Sequence, residues 1–231
     1  MKMNKKPFVF AFSGGCCSGK TTALNAIKET LEKENFKVLV FKADSHLYLK
    51  ERNATIDSIR KSAPDYLKFQ EFVCKEQWNF ETQILQGLYD NYYDVILLDR
   101  ALFDCQFYTT AYFNLGDEAL QYGDYLDRYQ RLLINLSIKL PESVEHVYNQ
   151  SFCFAPLNKP KSQTDTYTRP ANLKGLQYIE WQGIKRIVDN YHSANYPTRL
   201  SSKCHIDLNK TELEALCNFA LRATKHYHGK L

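Results

Sequence analysis

The chain has 231 residues, 44% of them hydrophobic, and a formal net charge of +4. That size and apolar content build one large domain with a full core, or one domain with a small insertion. The basic residues are scattered, which argues against the clustered Lys/Arg footprint of a nucleic-acid binder, and no run approaches the ~20 apolar residues of a membrane-spanning helix.

The seven cysteines are odd in number and show no C-x-x-C pair, while Cys16 and Cys17 are adjacent. They read as reduced thiols of a cytoplasmic protein rather than a disulfide framework or a metal site. The basic start, Met1 to Lys6, and the apolar run behind it superficially imitate a secretory leader. The run falls short of the ~7–15 residues of a leader's apolar region, so no leader is expected. The 16 Tyr and 14 Phe make a ring-stacking pocket easy to build without placing one.

Residues 7–13 contain the run Phe8-Val9-Phe10-Ala11-Phe12, a buried parallel strand by its nearly continuous apolar character. Behind it, Gly14 to Thr21 satisfy G-x-x-x-x-G-K-[ST]. The helix that follows, over 20–34, places Ala23, Leu24, Ile27 and Leu31 on one face. Strand, glycine-rich loop and helix together make a phosphate site. The loop amides of Gly14, Gly15, Cys16, Cys17, Ser18, Gly19, Lys20, Thr21 and Thr22 would form a concave nest at a positive helix N-terminus. Lys20 would reach the β- and γ-phosphates, and the Thr21 hydroxyl would ligate Mg²⁺.

Val38–Phe41 reads as a second short strand and leads into Lys42-Ala43-Asp44-Ser45-His46-Leu47-Tyr48. Ligands of open α/β sheets bind at the carboxyl ends of the strands, so Asp44 should share a rim with the phosphate loop. It is a candidate catalytic carboxylate, against the plainer reading of a turn cap. Residues 49–63 are polar and read as a mobile segment or a short helix. Pro64 and Asp65 open the next helical pattern, which carries Leu67, Phe69, Phe72, Val73, Phe80, Ile84 and Leu88, with Gln70, Glu71, Lys75 and Glu81 on its other face. Val95-Ile96-Leu97-Leu98-Asp99-Arg100 then has the form of a Walker B strand, whose terminal carboxylate, Asp99, stands near Mg²⁺. Arg100 could reach an acceptor or its phosphate, and Asp104 reads as a cap or structural hydrogen-bond partner. The aromatic residues of 103–113, with Phe69, Phe72 and Trp78, read as core in preference to base-stacking groups.

Residues 118–139 read as a helix stopped near Pro141, and 147–154 as a strand. Pro156 to Pro170 is a composition break with almost nothing apolar and with Lys159, Lys161 and Arg169. It reads as a surface loop beside the rim, and over 156–172 as a lid whose Arg169 would join the catalytic groups. A helix over 172–191, a strand over 204–208 and a helix over 211–225 complete the pattern. The β-α alternation gives a single α/β domain over 1–231, three-layer α/β/α with a five-stranded parallel sheet, the P-loop NTPase fold.

Phosphate loop, acidic residue after the second strand, Asp99-Arg100 and late basic loop together resemble the P-loop nucleoside and nucleotide kinases. Asp99-Arg100 with the aromatic stretch behind it looks like the thymidylate kinase pattern, although the Glu-Gly-x-Asp/Glu loop arrangement and the Asp-Arg-Glu-Pro segment of that family are missing. Lys42 to Tyr48 is similar to the acidic segment of uridine and nicotinamide-riboside kinases, where the carboxylate is the acceptor's base. Over roughly 8–225 the chain more closely resembles small P-loop proteins called AAA-type ATPases but kinase-like in layout. They share a strand ending Asp-Arg with an Asp soon after, here Asp99, Arg100 and Asp104, and an apolar strand ending in Pro, here Phe152 to Pro156.

These resemblances imply an ATP- and Mg²⁺-dependent phosphotransferase with a small-molecule acceptor, while charge distribution and hydropathy point to no nucleic-acid partner and no membrane. A nucleotide-dependent regulator and a hydrolase without a small acceptor stay open beside it, as does pairing into a homodimer. The guanine signature N-K-x-D is matched only in part by Asn209-Lys210-Thr211-Glu212, which tilts the base toward adenine.

Overall fold

The computed structural model describes residues 5–15, 18–102, 104–105, 107–108, 147–156, 181–186 and 210–230. The elements in chain order are β1 (Phe8–Gly14), α1 (Lys20–Lys33), β2 (Val38–Phe41), α2 (Ser45–Glu51), α3 (Ile56–Ile59), α4 (Ala63–Leu85), β3 (Val95–Asp99), β4 (Gln150–Phe154) and α5 (Lys210–Tyr227). Residues 181–186 are also helical. The expected fifth strand at 204–208, the helix at 118–139 and the lid at 156–172, except for its first residue, lie outside the described residues.

The four strands form one sheet in the order β2-β3-β1-β4, and every pairing is parallel. The pairing of β1 sets Phe12 beside Asp99 on one side and Gly14 beside Phe154 on the other. With all strands pointing one way, the ends that carry Gly14, Asp99 and Phe154 line one edge of the sheet.

The near-continuous apolar strands follow from cover on both faces. Phe8, Phe10 and Phe12 of β1 join Val95, Leu97, Phe152 and Phe154 under α1 and α5, with Leu24, Ile27, Leu31, Leu216 and Ala220 packed on them. The alternate residues Val9 and Ala11 join Ile96, Leu98 and Cys153 on the other face, covered by Phe80 of α4 and by Trp181 and Ile184. Period-two alternation along each strand thus feeds two cores, and the described helices make the layers of an α/β/α sandwich.

The segment after β2 is helical rather than mobile. Asp44 caps α2 by accepting from the Leu47 amide, and Thr55 and Ser58 form a reciprocal capping box on α3. These short helices bury Tyr48, Leu49, Ile56 and Ile59 against Tyr66 and Phe69 of α4, a satellite core that bears out the core reading of Phe69. α4 opens one residue before Pro64, which occupies the first turn where its missing N–H costs nothing. It ends at Leu85, short of the periodic Leu88, and Gly87 follows with φ of 74°.

Candidate functional site

The phosphate loop starts where β1 meets β4. Gly14 has φ of 134°, and a β-carbon there would stand 2.6 Å from the Phe154 carbonyl oxygen. Only glycine fits that approach. Gly19 precedes α1 in a left-handed conformation with φ of 84°, and no side chain caps the helix. The first amides of α1 are therefore offered outward at its positive end. Thr21 and Thr22 are exposed on that first turn. Lys20 is buried, and its Nζ donates to Gly14 O at 2.9 Å, Gly15 O at 2.6 Å and Ser18 Oγ at 3.2 Å. Groups before and after residues 16 and 17 thus hold the ammonium together. Cys16, Cys17 and Arg169 lie outside the described residues.

Asp99 ends β3 with its side chain only 7% exposed, and its Oδ2 lies 3.9 Å from Nζ of Lys42. The strand after which Lys42 and Asp44 follow is the neighbour of β3, so both segments meet at one edge. Asp44 itself is exposed, accepts from Leu47 N at 2.9 Å through Oδ1, and donates its own amide to Glu76 Oε2 at 2.6 Å. The cap reading of Asp44 is thus realised in the structure. Among the described residues its Oδ2 accepts no hydrogen bond.

Arg100 adopts φ of 94°, a left-handed conformation that costs a non-glycine residue about 1–3 kcal/mol. Its amide donates to Phe12 O and Leu98 O, both at 3.0 Å. Its guanidinium stands 3.5 Å from Gly14 O, 3.7 Å from Asp104 Oδ1, and over the Tyr108 ring with 4.6 Å to the centroid. The arginine expected to reach an acceptor or its phosphate thus faces the phosphate loop. Tyr108, read from sequence as core, carries this cation on its face.

Asp104 is fully buried and ties the loop to the segment after β3. It accepts from Ser13 Oγ at 2.5 Å, from Gly14 N at 3.4 Å and from Ala101 N at 3.0 Å. Burial pushes its carboxyl up, against the pull of Arg100, the Ser13 hydroxyl, the Ala101 amide and Lys20. Of the two sequence readings, cap or structural hydrogen-bond partner, these bonds realise the second.

Behind this edge lies a polar network that periodicity alone misplaces. Glu81, assigned by pattern to the polar side of its helix, is buried, as are Gln70 and Gln77. Gln77 Nε2 donates to Glu81 Oε1 at 2.7 Å and to Arg100 O at 3.1 Å. The Tyr148 hydroxyl donates to Glu81 Oε2 and accepts from Leu102 N at 3.1 Å. Burial raises the Glu81 carboxyl to about 7, opposed by the Tyr148, Gln77 and Leu102 hydrogen bonds and reinforced by the nearby Asp104. The i,i+4 spacing of Gln77 and Glu81 is the signal that sequence reasoning passed over.

Among the described residues no group of three or more His, Cys, Asp or Glu could hold a metal, and no helix is long and apolar enough to cross a membrane. A hydroxyl on the loop helix and a single carboxylate at the strand end are an oxygen donor set. It suits Mg²⁺, which keeps several waters and takes its other ligands from phosphate.

The family model described as an AAA domain matches residues 9–196, most of the chain and all of the edge described above. Compared with curated proteins, the chain matches none.

Proposed function

The chain belongs to the AAA domain family of P-loop nucleotide-binding proteins, and from that premise we propose that it is an ATP- and Mg²⁺-dependent kinase of a small, nucleoside-like acceptor. The observation that carries the reading is the meeting of three segments at one sheet edge. These are the Lys20 loop, the Asp99-Arg100 turn aimed at that loop, and the Lys42–Asp44 segment on the adjoining strand.

In this reading the amides of residues 14–22 and the ammonium of Lys20 bind the β- and γ-phosphates. Thr21 and Asp99 would hold Mg²⁺, whose chemistry there would be to neutralise charge on the phosphate oxygens. Arg100 faces the transferred group and stabilises its charge, and Asp44 takes the acceptor's proton on Oδ2 while Oδ1 keeps its cap bond. Arg169, in the basic stretch of 156–172, would add a further positive charge for the phosphates.

One observation favours a second reading, a nucleotide-dependent regulator without an acceptor: Asp44 is already engaged as an N-cap, the role that its position would fill in any case. The two readings separate on one substitution. Asn caps helices as well as Asp does, so Asp44→Asn preserves α2 and removes the base. A panel of nucleosides and vitamins with ATP and Mg²⁺ should contain a compound that stimulates ADP release. Asp44→Asn should lower that stimulated rate by ~10²-fold or more. ADP release indifferent to every compound and to Asp44→Asn would favour the regulator.

A further inference from the structure

Among the described residues of the site, Arg100 is held in a conformation its type disfavours, with φ of 94°, and its neighbours hold it there. The carbonyl of Arg100 accepts from Gln77 Nε2 at 3.1 Å. The same nitrogen donates to Glu81 Oε1 at 2.7 Å. The Arg100 carbonyl can only accept, so the amide of Gln77 has one workable orientation: turned over, its oxygen would face that carbonyl. Glu81 is fixed in turn by the Tyr148 hydroxyl, which also accepts from the Leu102 amide. A closed path therefore runs from the carbonyl of residue 100 through Gln77, Glu81 and Tyr148 to the amide of residue 102. It brackets the turn on which the guanidinium is mounted. The next residue along the helix from this path, Glu76, accepts the Asp44 amide at 2.6 Å. Adjacent positions of α4 thus grip the segments after β2 and after β3.

We propose that Gln77, backed by Glu81 and Tyr148, is a positioning residue for phosphoryl chemistry. It locks the left-handed backbone of Arg100 so that the guanidinium faces the phosphate loop. Gln77 touches no substrate and acts only through Arg100. The inference rests on the reading that Arg100 faces the reacting phosphate, and it needs no acceptor.

The test is a double-mutant cycle on the full chain, read as turnover of Mg²⁺-ATP hydrolysis and as the dissociation constant of a fluorescent ADP analogue. Gln77→Leu removes both donors at similar volume. It should lower turnover by about 10–100-fold, the cost of a misplaced catalytic group. It should shift nucleotide affinity by less than about 3-fold, since the loop itself is untouched. In the Arg100→Ala background the same substitution should cost less than about 2-fold more, because the group it positions is gone. An equal loss in both backgrounds would make Gln77 a general structural residue and overturn the proposal, as would an unchanged turnover in the single variant. Should the leucine variant fail to fold, Gln77→Asn keeps a polar amide but withdraws it by one methylene, and the same cycle decides. Because hydrolysis is the readout, a panel in which no compound accepts phosphate would sink the kinase reading and leave this test standing.

Discussion

Gly14→Ala tests whether the phosphate loop is built on close backbone contact. The added β-carbon would lie 2.6 Å from the Phe154 carbonyl oxygen, 3.1 Å from its amide nitrogen and 3.3 Å from its β-carbon. The first distance is about 0.8 Å short of the 3.4 Å at which ordinary contact begins. The obstructing atoms are backbone of the strand paired in register with Gly14, so they cannot swing aside. Either β1 and β4 part or the loop rotates, and rotation breaks the bond from Gly14 N to Asp104. Overpacking of this kind costs about 1–3 kcal/mol. The φ of 134° adds about 1–3 kcal/mol for a residue with a β-carbon. Gly229→Ala supplies the control: its φ is 62°, and nothing lies within 4 Å of the new carbon. It should cost about 1 kcal/mol, from backbone conformation alone. Urea unfolding of the two variants should differ by about 1–5 kcal/mol, and only Gly14→Ala should weaken ATP binding, by ~10-fold or more. Equal costs with nucleotide affinity intact would refute the close-contact argument.

The pH dependence of stability carries a signature of Glu81. Its folded pKa is raised from 4.5 to about 7, so the folded chain keeps a proton that the unfolded chain releases. The stability this proton confers is full below pH 4.5 and is lost as pH rises toward 7, about 3 kcal/mol at most. Urea midpoints of Glu81→Gln should therefore fall less than those of the parent between pH 4.5 and 8; parallel curves would contradict the burial argument. Lys42 pairs with Asp99 at 3.9 Å from an exposed position. Lys42→Ala should free the carboxylate and lower the Mg²⁺ concentration that half-saturates ATP turnover by about 2–5-fold, the scale of an exposed pair. Isothermal titration with Mg²⁺ in the presence of ADP checks the direction. Lys20→Ala removes the cation that the loop holds over its carbonyls and should abolish turnover under every assay condition.

The parts legible in the sequence are those where local pattern and tertiary outcome coincide. β1 and β3 read correctly because both of their faces are covered, which leaves uninterrupted apolar runs. Gly14 and Gly19 were legible as glycine positions because the backbone there takes positive φ. Asp104 was recognisable from its place three residues after Ala101, where it reaches back to that amide. The left-handed turn at Arg100 was not, since nothing in an arginine announces positive φ. Glu81 and Gln77 escaped for a different reason. Whether the polar side of α4 meets water depends on what lies over it, here the turn at 100–102 and Tyr148, far along the chain. The Lys42–Asp99 pair likewise exists only because β2 and β3 are neighbours. The two short helices after β2 were in principle readable from Asp44 and from Thr55 and Ser58 as caps, but their polarity masked them.

Following the γ-phosphoryl group of labelled ATP tests the central claim most directly. With Mg²⁺ and the panel of nucleosides and vitamins, label should appear on one small organic acceptor in the parent chain. It should be absent with Lys20→Ala and reduced by ~10²-fold with Asp44→Asn. Label recovered only as inorganic phosphate, at one rate whatever compound is present, would contradict phosphoryl transfer to a small acceptor.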